Sequence, residues 1–138
     1  MSVTPKQVVD QMTRDDAFSR WMGVEVLEVH EGYAKIKMTM RPEMMNGLGI
    51  AHGGIAFSLA DSAFAFACNS RNIMSYALDN SMNFLRPVMS GDILSAEATE
   101  MHNGRTTGLY QVIITNQHGK KVAFFKGTCY RTGKPVVG

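Results

Sequence analysis

The residues most suited to chemistry lie close together in one stretch, NGLGIAHGGIAFSLADSAFAFACN, from Asn46 to Asn69. His52-Gly53-Gly54 stands where a loop enters an apolar helix. The first N–H groups of a helix have no internal partner and sit at the positive end of its dipole. Glycine lets a ligand approach that backbone closely. Such a place suits an anion, including the oxyanion of an acyl-transfer intermediate. Downstream, the carboxylate of Asp61 interrupts the most hydrophobic segment of the chain. A buried carboxylate is costly unless it is paired or used. Two readings follow: a structural ion pair with Arg86 or Arg105, or a catalytic acid–base group. The loop amide of Asn46 upstream and the buried acid downstream make His-Gly-Gly more informative than it is alone.

Other chemistries find less support. Ser58 and Ser62 lie in no Gly-x-Ser-x-Gly elbow. The four histidines, His30, His52, His102 and His118, lack the spacing of a metal site, so no metal is expected. No phosphate-binding glycine pattern of the Walker or Rossmann kind occurs. A formal net charge of +2, with Lys and Arg dispersed, argues against nucleic acid as a partner. The apolar run is shorter than the roughly 20 residues of a membrane span and contains Asp61, so no membrane is expected. No basic-then-apolar leader opens the chain, and a cytoplasmic location is expected. Cys68 and Cys129 form no disulfide framework, and each is expected to pack as a small apolar group. The eleven methionines fit core filling or an adaptable lining for an apolar ligand.

The elements that must position these residues read as a single α+β domain over 1–138. Residues 5–21 form helix in two pieces, with Pro5 in a first turn and Gly23 as a stop. Strands are expected at 24–30 and 33–40, the second with Ala34, Ile36, Met38 and Met40 on one face. From Gly54 to Asn69 the sequence is apolar all round, which marks a buried helix. Four strands follow, roughly 76–85, 92–102, 106–116 and 121–131, punctuated at Gly91-Asp92, Asn103-Gly104 and His118-Gly119. Short connections imply an antiparallel sheet, wrapped around the central helix.

With MMNG, AHGGIAFSLADSAFAFACNS, NFLRP with the following GD, and the strand pair around GRTTG, the chain resembles the hotdog-fold acyl-CoA thioesterases of the phenylacetate-degradation type. The resemblance runs from about Trp21 to Gly133. It implies an antiparallel sheet around one helix, and hydrolysis of an acyl-CoA thioester, phenylacetyl-CoA or a ring-hydroxylated relative. It implies that Asp61 is the general base or nucleophile, that Gly53 N–H holds the thioester oxygen, that Asn46 orients the carbonyl or the water, and that His52 supports the loop. Gly54 and Phe57 become substrate-binding candidates, with Phe64 and Phe66 near an aryl pocket, and Arg86 and Arg105 candidates for the CoA phosphates. No cofactor or metal is implied, because water is the second substrate.

Geometry adds a constraint. Gly53 and Asp61 are eight residues apart, or about 12 Å along a helix axis. They cannot both contact one thioester carbonyl within a subunit. Two antiparallel copies of the helix about a two-fold axis would bring Gly53 of one near Asp61 of the other, so a homodimer with shared active sites is expected; the resemblance implies a tetramer. Two rival functions remain: a hotdog enoyl-CoA hydratase or dehydratase with Asp61 and His52 as the acid–base pair, and a non-catalytic acyl-CoA-binding protein.

Overall fold

The structure is a computed structural model describing residues 2–138. Helix α1 (Pro5–Thr13) begins on a capping box. Thr4 Oγ1 accepts from Gln7 N–H while the Gln7 side chain accepts from Thr4 N–H. Helix α2 (Ala17–Met22) is capped by Asp16 and stopped by Gly23, whose φ of 78° is left-handed. Strands β1 (Glu25–His30) and β2 (Tyr33–Thr39) form a hairpin. A short 3₁₀ turn, Pro42–Met44, leads into the loop before helix α3 (Gly53–Asn69). Strands β3 (Ser75–Phe84), β4 (Ile93–Asn103), β5 (Thr107–Thr115) and β6 (Lys121–Arg131) complete the chain.

All pairings between strands are antiparallel, in one six-stranded sheet of order β1-β2-β4-β5-β6-β3. Sheet residues on alternate positions face α3: Ala34, Ile36 and Met38 from β2, Leu94, Ala96 and Ala98 from β4, Tyr110, Val112 and Ile114 from β5. They meet Leu59, Ala60, Ala63, Phe64 and Ala67 of α3 in one core. The frequent alanines of α3 let the sheet approach closely, and a helix covered on most sides keeps no wide polar face. The expected α+β architecture and the two-piece first helix are both present, with strand ends shifted by a residue or so.

β3 lies at one edge of the sheet and carries a bulge. Ala77 pairs with Cys129 and Asp79 with Thr128, leaving Leu78 unmatched. The inward set therefore passes from odd numbers (Ser75, Ala77) to even ones (Asn80, Met82, Phe84).

The C-terminal end of α3 is tied down by Arg131, only 4% exposed. Its guanidinium donates to Cys68 O at 3.0 Å, Asn103 Oδ1 at 2.7 Å, Tyr110 Oη at 3.0 Å and Gly104 O at 3.2 Å. A cation at the negative end of the helix is favourable. Cys68 and Cys129 are free and buried within the hydrophobic core, packed there as the expected small apolar groups. The neighbouring Cys68 thiol and the Arg131 charge pull the Cys129 thiol down, against its burial. No helix among the described residues is long and apolar enough to cross a membrane.

Candidate active site

The loop before α3 is built by Asn46. Its Oδ1 accepts from Leu48 N–H at 2.8 Å, and its own N–H donates to Ile50 O at 2.7 Å. The side-chain carbonyl is thus spent on the loop, and the Asn46 NH₂ group bonds no other described residue. His52 follows as the N-cap. Its Nδ1 accepts from Gly54 N–H at 2.9 Å, and its N–H donates to Met44 O at 2.9 Å. An accepting Nδ1 places the hydrogen of the neutral ring on Nε2. Gly54 is therefore corrected as a binding group: its N–H is occupied by His52. The N–H of Gly53 has no partner among the described residues and remains the donor at the head of α3.

Asp61 is half-buried in α3. No Lys, Arg or His lies in salt-bridge range of it among the described residues. Of the two readings of Asp61, the ion pair with Arg86 or Arg105 is thereby set aside. Its partner is Asn80, whose Nδ2 donates to Asp61 Oδ1 at 3.2 Å. Burial pushes the carboxyl pKa up, and the Asn80 hydrogen bond opposes that shift.

β3 runs antiparallel to α3 and touches it at both places. Asn80 meets Asp61, and the Phe84 ring lies over Gly53, where a Cβ would come within 3.1 Å of Phe84 Cζ. Four strand residues span about 13 Å and eight helical residues about 12 Å, so both contacts fit in one register. Gly53 and Asp61 of one subunit are accordingly held apart by the fold.

A cleft of about 320 Å³ opens at the head of α3, and among its lining residues are Asn46, His52, Gly53, Phe84, Leu85 and Arg86. Four of the expected residues thus share one cleft. Gly54, Phe57, Asp61 and Arg105 do not line it. Asp61 lies two turns along α3. Arg105 is exposed in the β4–β5 turn, beside the Gly104 carbonyl bound by Arg131 at the far end of α3. Phe57 packs edge-on against Phe125, ring centroids 5.6 Å apart, and serves the core. Asn80 and Phe84 were not anticipated; the NFLRP motif includes Phe84 but does not say which way it faces. No cluster of three His, Cys, Asp or Glu among the described residues is placed to hold a metal ion.

Residues 48–123 match the family model described as the thioesterase superfamily. The whole chain is 41% identical to acyl-coenzyme A thioesterase PaaI of Escherichia coli, over 99% of that protein. The structure of E. coli PaaI superposes with a TM-score of 0.93, at 40% identity and 95% coverage of both chains. A Streptococcus mutans protein bound to acetyl-CoA superposes with a TM-score of 0.79, at 29% identity, over 81% of this chain and 90% of its own. Sequence, sheet order and central helix agree, and the chain belongs to the thioesterase superfamily with the hotdog fold.

Proposed function

We propose that this acyl-CoA thioesterase acts on phenylacetyl-CoA or a ring-hydroxylated relative, releasing the free acid and CoA. The observation that carries the reaction is the unpartnered N–H of Gly53 at the head of α3, within a mainly apolar cleft. The name of the E. coli relative, and its operon of phenylacetic acid degradation, support the acyl group. In this reading Ile50, Phe84 and Leu85 receive apolar parts of the substrate, and exposed Arg86 meets a CoA phosphate.

Water attacks the thioester carbonyl carbon while Asp61 takes its proton. The carbonyl π electrons move onto oxygen, and Gly53 N–H, aided by the helix dipole, stabilises the oxyanion. Collapse breaks the C–S bond, and CoA leaves as a thiolate that takes up the proton held by Asp61, restoring the carboxylate. No cofactor beyond the CoA of the substrate takes part. Asn46 Nδ2 orients the carbonyl or the water, and His52 holds the loop by capping Gly54.

Because Gly53 and Asp61 lie about 12 Å apart along one helix, each site combines Gly53 and Asn46 of one subunit with Asp61 of its two-fold mate. β3 is a free sheet edge beside α3, with Tyr76 and Leu78 exposed. Two copies meeting there would set their α3 helices antiparallel. The dimers pair further into a tetramer in the cytoplasm.

The test is CoA release across aryl, short-chain and long-chain acyl-CoAs, with crotonyl-CoA hydration followed in parallel. Phenylacetyl-CoA is expected to show a higher kcat/KM than palmitoyl-CoA. The reverse order overturns the substrate assignment, and hydration without CoA release overturns the reaction.

A further inference from the structure

Asn80 is the one described side chain that hydrogen-bonds Asp61, at 3.2 Å from its Nδ2 to Asp61 Oδ1. Its own Oδ1 is buried and accepts no hydrogen bond from any described residue. An unpaired buried acceptor carries its desolvation cost uncompensated. Apart from its bond to Asp61, the amide therefore costs stability at this position.

The surroundings hold the amide in this orientation. Asn80 stands opposite Gly127 in the β3–β6 ladder. A Cβ on Gly127 would lie 3.0 Å from Asn80 Oδ1, 3.0 Å from Phe64 Cζ and 2.9 Å from Phe125 Cε1. The missing side chain at 127 is the space into which the amide oxygen and the two ring edges converge. Ring edges carry the positive part of the aromatic quadrupole and tolerate an oxygen better than ring faces do. Turning the amide over would set its oxygen against the Asp61 carboxylate. The Leu78 bulge is what brings Asn80 onto the inward face at all.

We propose that Asn80 is a positioning residue for thioester hydrolysis: its amide holds Asp61 Oδ1 and leaves Oδ2 to face the attacking water. This rests on Asp61 being the general base. The hydrogen bond also favours the ionised carboxylate against its burial. Other groups on the packed elements do not take that role. β2 and β4 present Ala34, Ile36, Met38, Leu94, Ala96 and Ala98 to α3. Glu100 of β4 is held by Arg71 and Tyr110. Cys68, Cys129 and Arg131 gather at the C-terminal end of α3, where Cys68 feels the Asp61 charge without bonding it.

The experiment compares pH profiles of kcat/KM for wild type, Asn80→Leu, Asn80→Asp and Asp61→Asn, using loss of thioester absorbance of phenylacetyl-CoA, with thermal midpoints recorded alongside. Without the amide the acid limb should move to higher pH, so Asn80→Leu loses more activity at pH 6 than at pH 8.5, about tenfold for each unit the limb moves. Its thermal midpoint at low pH, where Asp61 is neutral, should match or exceed that of wild type. Asn80→Asp, with a second carboxylate beside the first, should move the limb further in the same direction. It also covers the case in which Asn80→Leu fails to fold. An unmoved acid limb, or uniform loss at every pH with a lower thermal midpoint, overturns the positioning role. If Asp61→Asn retains turnover, the general-base reading itself fails; if that variant is inactive and the limb is unmoved, the Asn80 proposal alone fails.

Discussion

Asp61 is a carboxylate whose fold disfavours its charge. Burial raises its folded pKa above the unfolded value, so the native state binds the proton more tightly. Stability from this group is present at low pH and declines as pH rises between the ordinary carboxylate value and the raised one. At neutral pH the ionised side chain detracts from stability. Asp61→Asn keeps the shape and can still accept from Asn80. It should lower kcat by a factor on the order of 10²–10⁴. Its thermal midpoint at pH 7.5 should be equal or higher, with the difference from wild type closing as pH falls towards 4. A near-native kcat with a lower midpoint would make Asp61 a structural residue. His52→Ala, which removes the cap on Gly54, should cost about 1 kcal/mol in denaturant unfolding and less activity than Asp61→Asn. Asn46, His52, Gly53 and Asp61 stand out in the sequence as candidates because they fall within sixteen consecutive positions, 46–61. Asn80 does not. It reaches Asp61 through the packing of β3 along α3, and counting alternate residues from Ser75 would point it to solvent.

At the level of elements, α3 is fastened at both ends. His52 closes its N-terminus while sparing one N–H, and Arg131 gathers carbonyl and hydroxyl groups at its C-terminus. Arg131→Met would leave those acceptors buried without a donor. A loss of about 2–4 kcal/mol is expected, read as a lower urea midpoint, while the folded fraction keeps its kcat because the cleft lies at the other end. A large kcat loss in fully folded protein would show that this network reaches the site. Period-two patterning made β2 legible, and the apolar run made α3 legible, because each reports burial directly. The Arg131 network was hidden because its partners come from four separate places along the chain: Cys68, Ser75, the adjacent Asn103 and Gly104, and Tyr110.

At the scale of the whole molecule, the rigid separation of Gly53 and Asp61 makes the shared site testable by mixing. Asn46→Ala and Asp61→Ala should each be nearly inactive alone. In a mixed dimer one site carries both lesions and the other neither. Random one-to-one reassembly makes about half the dimers mixed, so activity should return to roughly a quarter of wild type per site. Co-expression with two affinity tags isolates the mixed species. Purified, well-folded mixed oligomers that show no gain would place every site within one subunit.

The bulge in β3 also decides where this chain tolerates a change of length. Removing Leu78 would bring Ala77 and Asp79 opposite the consecutive residues Cys129 and Thr128, a regular ladder that still turns Asn80, Met82 and Phe84 towards α3. Removing Ser81 would instead turn one side of the strand over, sending either Asn80 or Phe84 to the outer surface. Relatives with a one-residue gap at position 78 can therefore keep the same inner surface, whereas a gap a few positions later would give the cleft a different wall.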